Sequence, residues 1–147
     1  MKFYRISNHT DLLGLGGELA DGRWHTRGPG KRIVYTSEHP ALCILETLVH
    51  IGPLDEIPAT YQLVEIDVPD AYIDEEIDPA VLKEQSIRGT RSIGDGWLES
   101  QRCGACLVPS AVVPYSWNCI LNPRFAGIAD LKVEVLGRFP YDARLFR

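Results

Sequence analysis

Ser37-Glu38-His39-Pro40-Ala41-Leu42-Cys43-Ile44-Leu45-Glu46-Thr47-Leu48-Val49 is the stretch on which the fold turns. Ser37 can cap free backbone N–H groups and Pro40 is tolerated in a first turn, so a helix is predicted from here to about Ile51, ending at Gly52-Pro53. On that helix Leu42, Cys43, Val49 and His50 are the neighbours of Glu46 three and four residues away, which turns its carboxylate inward, toward a mostly apolar stripe. A carboxylate among that much hydrocarbon is costly without a partner or a task. Upstream, the segment Gly22-Arg23-Trp24-His25 and Tyr35, at the end of an apolar run, supply Arg23 and Tyr35 as candidates to share its pocket. The plainer alternative pairs Glu46 with a basic group for structure alone and leaves Tyr35 in the core.

Working outward, alternation and β-branched content predict strands near Phe3–Ile6, Arg32–Thr36, Thr60–Val68, Ala105–Val108, Ala111–Pro114 and Leu131–Phe139. A second helix is expected from about Ile93 to Gln101, with weaker helical signals over Pro79–Gln85 and Phe125–Leu131. Many short strands with a few interspersed helices, lacking regular βαβ alternation, predict a compact α+β or mixed fold rather than a doubly wound sheet. The 147 residues fit one domain, 1–147, large enough to bury roughly two thirds of the unfolded surface in a core.

The composition, 45% hydrophobic and 24% charged, is that of a soluble protein, and no segment approaches the ~18 apolar residues of a membrane helix. Met1-Lys2-Phe3-Tyr4-Arg5-Ile6 lacks the features of a signal peptide, so a cytoplasmic location is expected. Cys43, Cys103, Cys106 and Cys119 are too sparse for a disulfide framework and are read as reduced thiols. A net charge of −5 argues against nucleic-acid binding.

Charge is unevenly spread. No Lys or Arg occurs from Ile33 to Leu82, where eleven acids fall, while Arg23, Arg27, Lys31 and Arg32 crowd a short loop just upstream. Arginine forks match phosphate oxygens, so an acidic protein with one cationic loop can gather a small anion there. A solvated turn with exposed bases is the alternative. An arginine, an aromatic ring and one carboxylate together suit a dinucleotide whose ribose–base bond is to be broken. Arg23 would grip a phosphate, Tyr35 would stack on a flat ring, and Glu46 would bind ribose hydroxyls and stabilise an oxocarbenium-like transition state. One carboxylate suffices, because nicotinamide leaves a cationic ring as a neutral molecule.

The remaining motifs are weaker. Ser110, alone in the apolar run Val108-Pro109-Ser110-Ala111-Val112-Val113-Pro114, either positions the glutamate or a ribose hydroxyl or is satisfied by backbone at a turn. Cys103-Gly104-Ala105-Cys106 lacks the second ligand pair of a zinc site, Gly14-Leu15-Gly16-Gly17 matches no phosphate-binding motif, and the four histidines have no ligand spacing. No metal is predicted. A competing reading is a non-catalytic regulatory module that binds a partner through its acidic middle segment, with Asp74, Glu75 and Glu76 at its centre.

Taken in order, Tyr4-Arg5-Ile6, Gly22-Arg23-Trp24-His25, Val34-Tyr35-Thr36, the run from Pro40-Ala41 through Leu45-Glu46-Thr47-Leu48-Val49-His50, Ile93-Gly94-Asp95-Gly96-Trp97-Leu98, Leu107-Val108-Pro109-Ser110-Ala111, Asn118 through Asn122-Pro123 and Phe139-Pro140-Tyr141-Asp142-Ala143-Arg144-Leu145 resemble the RES-domain family over nearly the whole chain. That family is named for an arginine, a glutamate and a serine, which would be Arg23, Glu46 and Ser110 here. The resemblance implies a fold similar to ADP-ribosyltransferases and a bacterial type II toxin, neutralised by an antitoxin of the Xre helix-turn-helix type. It also implies NAD as substrate, with no separate cofactor, consumed by hydrolysis, phosphorolysis or ADP-ribosyl transfer. Arg23 and Tyr35 would hold NAD, Glu46 would be the catalytic carboxylate, and Ser110 would support the site. A homodimer within the antitoxin complex is one arrangement open to it.

Overall fold

The strand predicted at Phe3–Ile6 runs from Lys2 to Ser7 as β1 in the computed structural model, which describes residues 1–147 apart from the side chain of Asp74. It lies deep in a single mixed sheet, antiparallel on one side to β2 (Val34–Ser37) and on the other to β3 (Gln62–Asp67), with Phe3 opposite Ile66. Beyond β3 comes β7 (Val133–Arg138); beyond β2 come β6 (Trp117–Leu121), β5 (Ala105–Pro109) and β4 (Ile73–Glu76). The order is β4-β5-β6-β2-β1-β3-β7, antiparallel throughout except where β4 runs parallel to β5. The expected α+β class is the one observed.

Both faces of this sheet are covered. Cys119 and Leu121 belong to one core, with Phe3, Val34, Ile66, Ala105, Leu12 and Ile128; Ile120 belongs to another, with Cys106, Val108, Trp24, Trp97 and Leu98. Because successive strand residues point to opposite faces, the two cores sit on opposite sides of the sheet. Trp97 and Leu98 come from α3 (Ile87–Ser100), the longest helix, which therefore packs on the second face. Each such fully buried side chain contributes about 1.5–3 kcal/mol through area removed from water.

The pivotal helix, α1, spans Pro40–Leu48 and packs on β1 and β2. Its cap is His39 rather than Ser37: the His39 Nδ1 accepts from the Ala41 N–H at 3.1 Å, while Ser37 stays in β2, buried. The helix stops short of Ile51 because its last turn tightens, the His50 N–H bonding the Thr47 carbonyl. A short α2 (Val81–Glu84) falls inside the predicted Pro79–Gln85 segment. α3 begins at Ile87, well before the expected Ile93, with Ser86 as its cap accepting from the Gly89 N–H at 3.2 Å.

Two expected elements do not form. Ala111–Pro114 is a turn instead of a strand, wound around the Ser110 hydroxyl, which accepts from the Val112 and Val113 N–H groups at 3.1 and 2.9 Å. Phe125–Leu131 is a chain of turns around the buried Ile128, with Gly127 at φ 94° where a helix could not continue. Conversely, β4 and β6 were not expected. All four cysteines are free and buried, and Cys103 accepts a hydrogen bond from the Trp97 indole at 3.2 Å. Among the described residues no helix is long and apolar enough to cross a membrane.

Candidate functional site

Glu46 sits two turns into α1, one turn beyond Leu42 and Cys43, whose side chains are buried. Its own carboxylate is half-buried on the wall of an open cavity of about 750 Å³. Two neutral donors reach the same oxygen: the Ser110 hydroxyl donates to Oε1 at 2.5 Å and the Asn118 amide at 2.6 Å. Among the described residues no Lys or Arg pairs with it, so the purely structural ion pair considered from sequence does not form. Ser110 bonds both to Glu46 and to the turn backbone. Its oxygen accepts two backbone N–H groups of the turn while its proton goes to Glu46.

Arg23 and Tyr35 line the same cavity as Glu46, whereas Ser110, bonded to the carboxylate, is not part of the lining. Arg23 is exposed, on a loop that α3 holds at three points. Arg91 Nε donates to the Gly22 carbonyl at 2.7 Å, Thr90 Oγ1 to the Arg23 carbonyl at 2.8 Å, and the Thr26 N–H donates to Asp95 at 2.9 Å. At Gly94 the helix lies directly against the Trp24 backbone, and any side chain there would collide with the Trp24 carbonyl.

The Tyr35 hydroxyl completes this anchoring. It accepts from the Trp24 N–H at 3.1 Å and lies 2.8 Å from His25 Nδ1. His25 Nε2 is 3.1 Å from the Gly17 carbonyl, which can only accept; Nε2 therefore carries the proton and Nδ1 accepts from Tyr35. Burial pushes the Tyr35 phenol well above its ordinary range, so it remains a neutral donor. Tyr35 is thus more than a ring on the cavity wall: it fastens Trp24 and His25, and through them the Gly16-Gly17 segment, which also lines the cavity. His25, 2% exposed, was singled out from sequence only as part of a motif.

The cationic loop is less uniform than its sequence. Lys31 pairs with Glu99 at 3.5 Å and Arg32 with Glu18 at 3.6 Å, and neither lines the cavity, so of this cluster only Arg23 faces it. Its positive partners come instead from elsewhere in the chain: Arg5 on β1 and Arg91 on α3 also line the cavity. Burial holds Arg5 below the usual arginine value, and its Nη1 donates to the Asp11 carbonyl at 3.2 Å. Asp21 is a further acid on the wall, accepting from the Arg27 N–H at 2.9 Å. Cys43 reaches the lining too, but burial raises its thiol to about 12, too high for a nucleophile at neutral pH.

The acidic middle segment is largely engaged within the chain. Glu65 accepts from Lys2 at 2.7 Å and Tyr4 at 3.1 Å, Glu75 accepts twice from Arg102 at 2.7 Å, and Asp70 pairs with the terminal ammonium at 3.0 Å. The Asp74 side chain, counted in that segment from sequence, lies outside the described residues. No group of three or more His, Cys, Asp or Glu placed to hold a metal occurs among the described residues.

Comparison with known proteins identifies the chain's relatives. The RES domain profile matches residues 2–142. The chain is 37% identical to a Toxin Res of Pseudomonas putida, over 99% of this chain and 100% of that protein. It is 35% identical to the Prs ADP-ribosylating toxin of Sphingobium sp., over 99% of this chain and 96% of the other. Among solved structures, a chain of the M. tuberculosis MbcT-MbcA toxin-antitoxin complex superposes with a TM-score of 0.64 at 17% identity, covering 92% of this chain and 83% of that one, a likeness of fold. With residues 2–142 matched by the family profile and 99% of its length by each of these two relatives, the chain belongs to the RES domain family.

Proposed function

We propose that this chain is the toxin of a toxin–antitoxin pair and that it consumes NAD by breaking the bond between nicotinamide and ribose. The observation that carries the reading is the Glu46 carboxylate, free of any cationic partner among the described residues and held through one oxygen on the wall that Arg23 and Tyr35 share. The names of its relatives support it, one of them an ADP-ribosylating toxin. So does the cavity, whose volume of about 750 Å³ is that of a site for a sizeable organic ligand.

In this reading Arg23 forks onto a phosphate of the dinucleotide, with Arg5 and Arg91 adding positive potential, and the Tyr35 ring borders the nicotinamide. Glu46 accepts hydrogen bonds from ribose hydroxyls, and its negative charge stabilises the positive charge that grows on the ribose as the C–N bond lengthens. The bonding electron pair returns to the pyridinium nitrogen, so nicotinamide departs neutral and no general acid is required. An oxygen of the acceptor then bonds to the ribose carbon: water or a side-chain hydroxyl releases its proton to solvent as the bond forms, whereas phosphate attacks through an anionic oxygen with no proton to lose. NAD is substrate here and no separate cofactor takes part. The proposed partner is an antitoxin of the Xre type, and the reading puts both proteins in the cytoplasm.

Incubating the purified, antitoxin-free protein with NAD and following nicotinamide release tests the reading. Release is expected with water, phosphate or cell extract supplying the acceptor; no release with any of the three contradicts it.

A further inference from the structure

Two side chains to which the proposed chemistry gives no role, one on β2 and one on β6, converge on the wall that carries Glu46. Ser37 on β2 faces Asn118 on β6 directly across the sheet, and both line the cavity beside Glu46. The Ser37 hydroxyl donates to Asn118 Oδ1 at 2.8 Å, and Asn118 Nδ2 donates to Glu46 Oε1 at 2.6 Å. The direction of this chain is set by its end. A carboxylate oxygen can only accept, so the amide must turn its NH₂ toward Glu46, leaving its carbonyl for the Ser37 proton. With the Ser110 hydroxyl on the same oxygen, Oε1 is saturated from the protein side, while among the described residues no donor reaches Oε2.

We infer that Asn118, oriented by Ser37, is a positioning residue that clamps Oε1 of Glu46 and so makes Oε2 the oxygen that meets the substrate; the inference rests on the NAD-cleaving reading above. Rotation about the last torsion of a glutamate is soft, and one hydrogen bond leaves the carboxylate free to swing about that contact. A second donor from a different strand fixes the plane of the group, which is the preorganisation that electrostatic stabilisation of a transition state needs. Ser37 is 4% exposed and its hydroxyl proton is committed to this amide.

The test is a two-residue kinetic cycle on NAD with nicotinamide release as readout. Asn118→Ala is expected to lower kcat by roughly 10- to 100-fold while KM for NAD moves less than about 3-fold. Ser37→Ala should lose less, and the double variant should be no worse than Asn118→Ala alone, because Ser37 acts only through the amide. Asn118→Asp, which sets a like charge against Glu46, should be slower than the alanine variant, a ranking that loss of packing would not produce. Losses that multiply in the double variant, a KM rise matching the kcat loss, or full activity in Asn118→Ala each overturn the inference. Should a variant fold poorly, its melting temperature will expose it, and the Ser37→Ala and Asn118→Ala ratio within folded protein decides. Wild-type turnover with Asn118→Ala unaffected defeats the clamp alone; a wild type that releases no nicotinamide defeats the NAD reading and the clamp with it.

Discussion

The two walls of the cavity are built in opposite ways. On the acidic wall, Glu46 comes from a helix, Asn118 from β6 and Ser110 from the residue that follows β5, so the charge is held by side chains on or directly beside regular elements. On the cationic wall, Arg23 comes from an irregular segment, and the bonds that place it run through the backbone carbonyls of Gly22 and Arg23 to residues of α3. The first wall fixes its charged group; the second fixes a backbone and leaves its charged side chain exposed. Changes to the first should therefore lower kcat, and changes to the second should raise KM.

The largest expected effect is on the acidic wall. Glu46→Gln keeps size and hydrogen-bonding capacity but removes the charge, and kcat for nicotinamide release should fall by roughly 100-fold or more with the melting temperature nearly unchanged. On the cationic wall, Arg23→Lys should raise KM for NAD by about 10-fold with kcat largely kept, because a point charge cannot reproduce the guanidinium fork. Equal effects on kcat and KM in both variants would erase the distinction between the walls.

Gly94→Ala strikes the cationic wall from behind. A methyl group would press on the Trp24 carbonyl, and since this is backbone against backbone the helix or the loop must move. The expected cost is about 1–3 kcal/mol in thermal or urea unfolding, with KM rising and kcat falling little. Thr90→Val, which keeps shape but loses the hydrogen bond to the Arg23 carbonyl, should act in the same direction at about 1 kcal/mol.

The smallest effect at neutral pH belongs to groups beneath both walls. Burial raises Cys43 and Cys119 from the ordinary 9.0 to about 12, and pushes Cys106 and Tyr35 higher still. Above about pH 9 the unfolded chain sheds thiol protons that the native chain keeps. Stability is therefore fully present below that pH and declines as pH rises, by about 1.4 kcal/mol per pH unit for each such thiol, until the native values are passed. Urea unfolding between pH 8 and pH 11 checks this, and a flat profile would contradict it.

The legible parts of the sequence were those whose signal is local. β1, β2, β3, β5 and β7 follow alternation or β-branched runs, and the Glu46 helix follows from its apolar spacing and Pro40. What escaped depends on tertiary pairing. β4 is Ile-Asp-Glu-Glu, which reads as solvated surface until it is seen to lie parallel to β5, and β6 begins at Trp117-Asn118 just after a turn at Tyr115. Gly89, Thr90 and Ser92 mask the start of α3, although Ser86 three residues before Gly89 is a usable cap signal.

The site divides the same way. Arg23, Tyr35 and Glu46 could be picked from the sequence as sharers of one pocket and do line one cavity, but the contact of Asn118 with Glu46 depends on the β2–β6 register, and Arg5 and Arg91 reach the cavity only through the topology that brings β1 and α3 together. Lys31 and Arg32 misled for the complementary reason, since their partners Glu99 and Glu18 could be identified only in the folded chain.

One clamped carboxylate, at position 46, is proposed to cleave NAD. Its most direct test is the rate of nicotinamide release at saturating NAD by the antitoxin-free protein and by its folded Glu46→Gln variant, measured side by side. Rapid release by the first and a loss of roughly 100-fold or more in the second is the predicted result; equal rates in the two would contradict it.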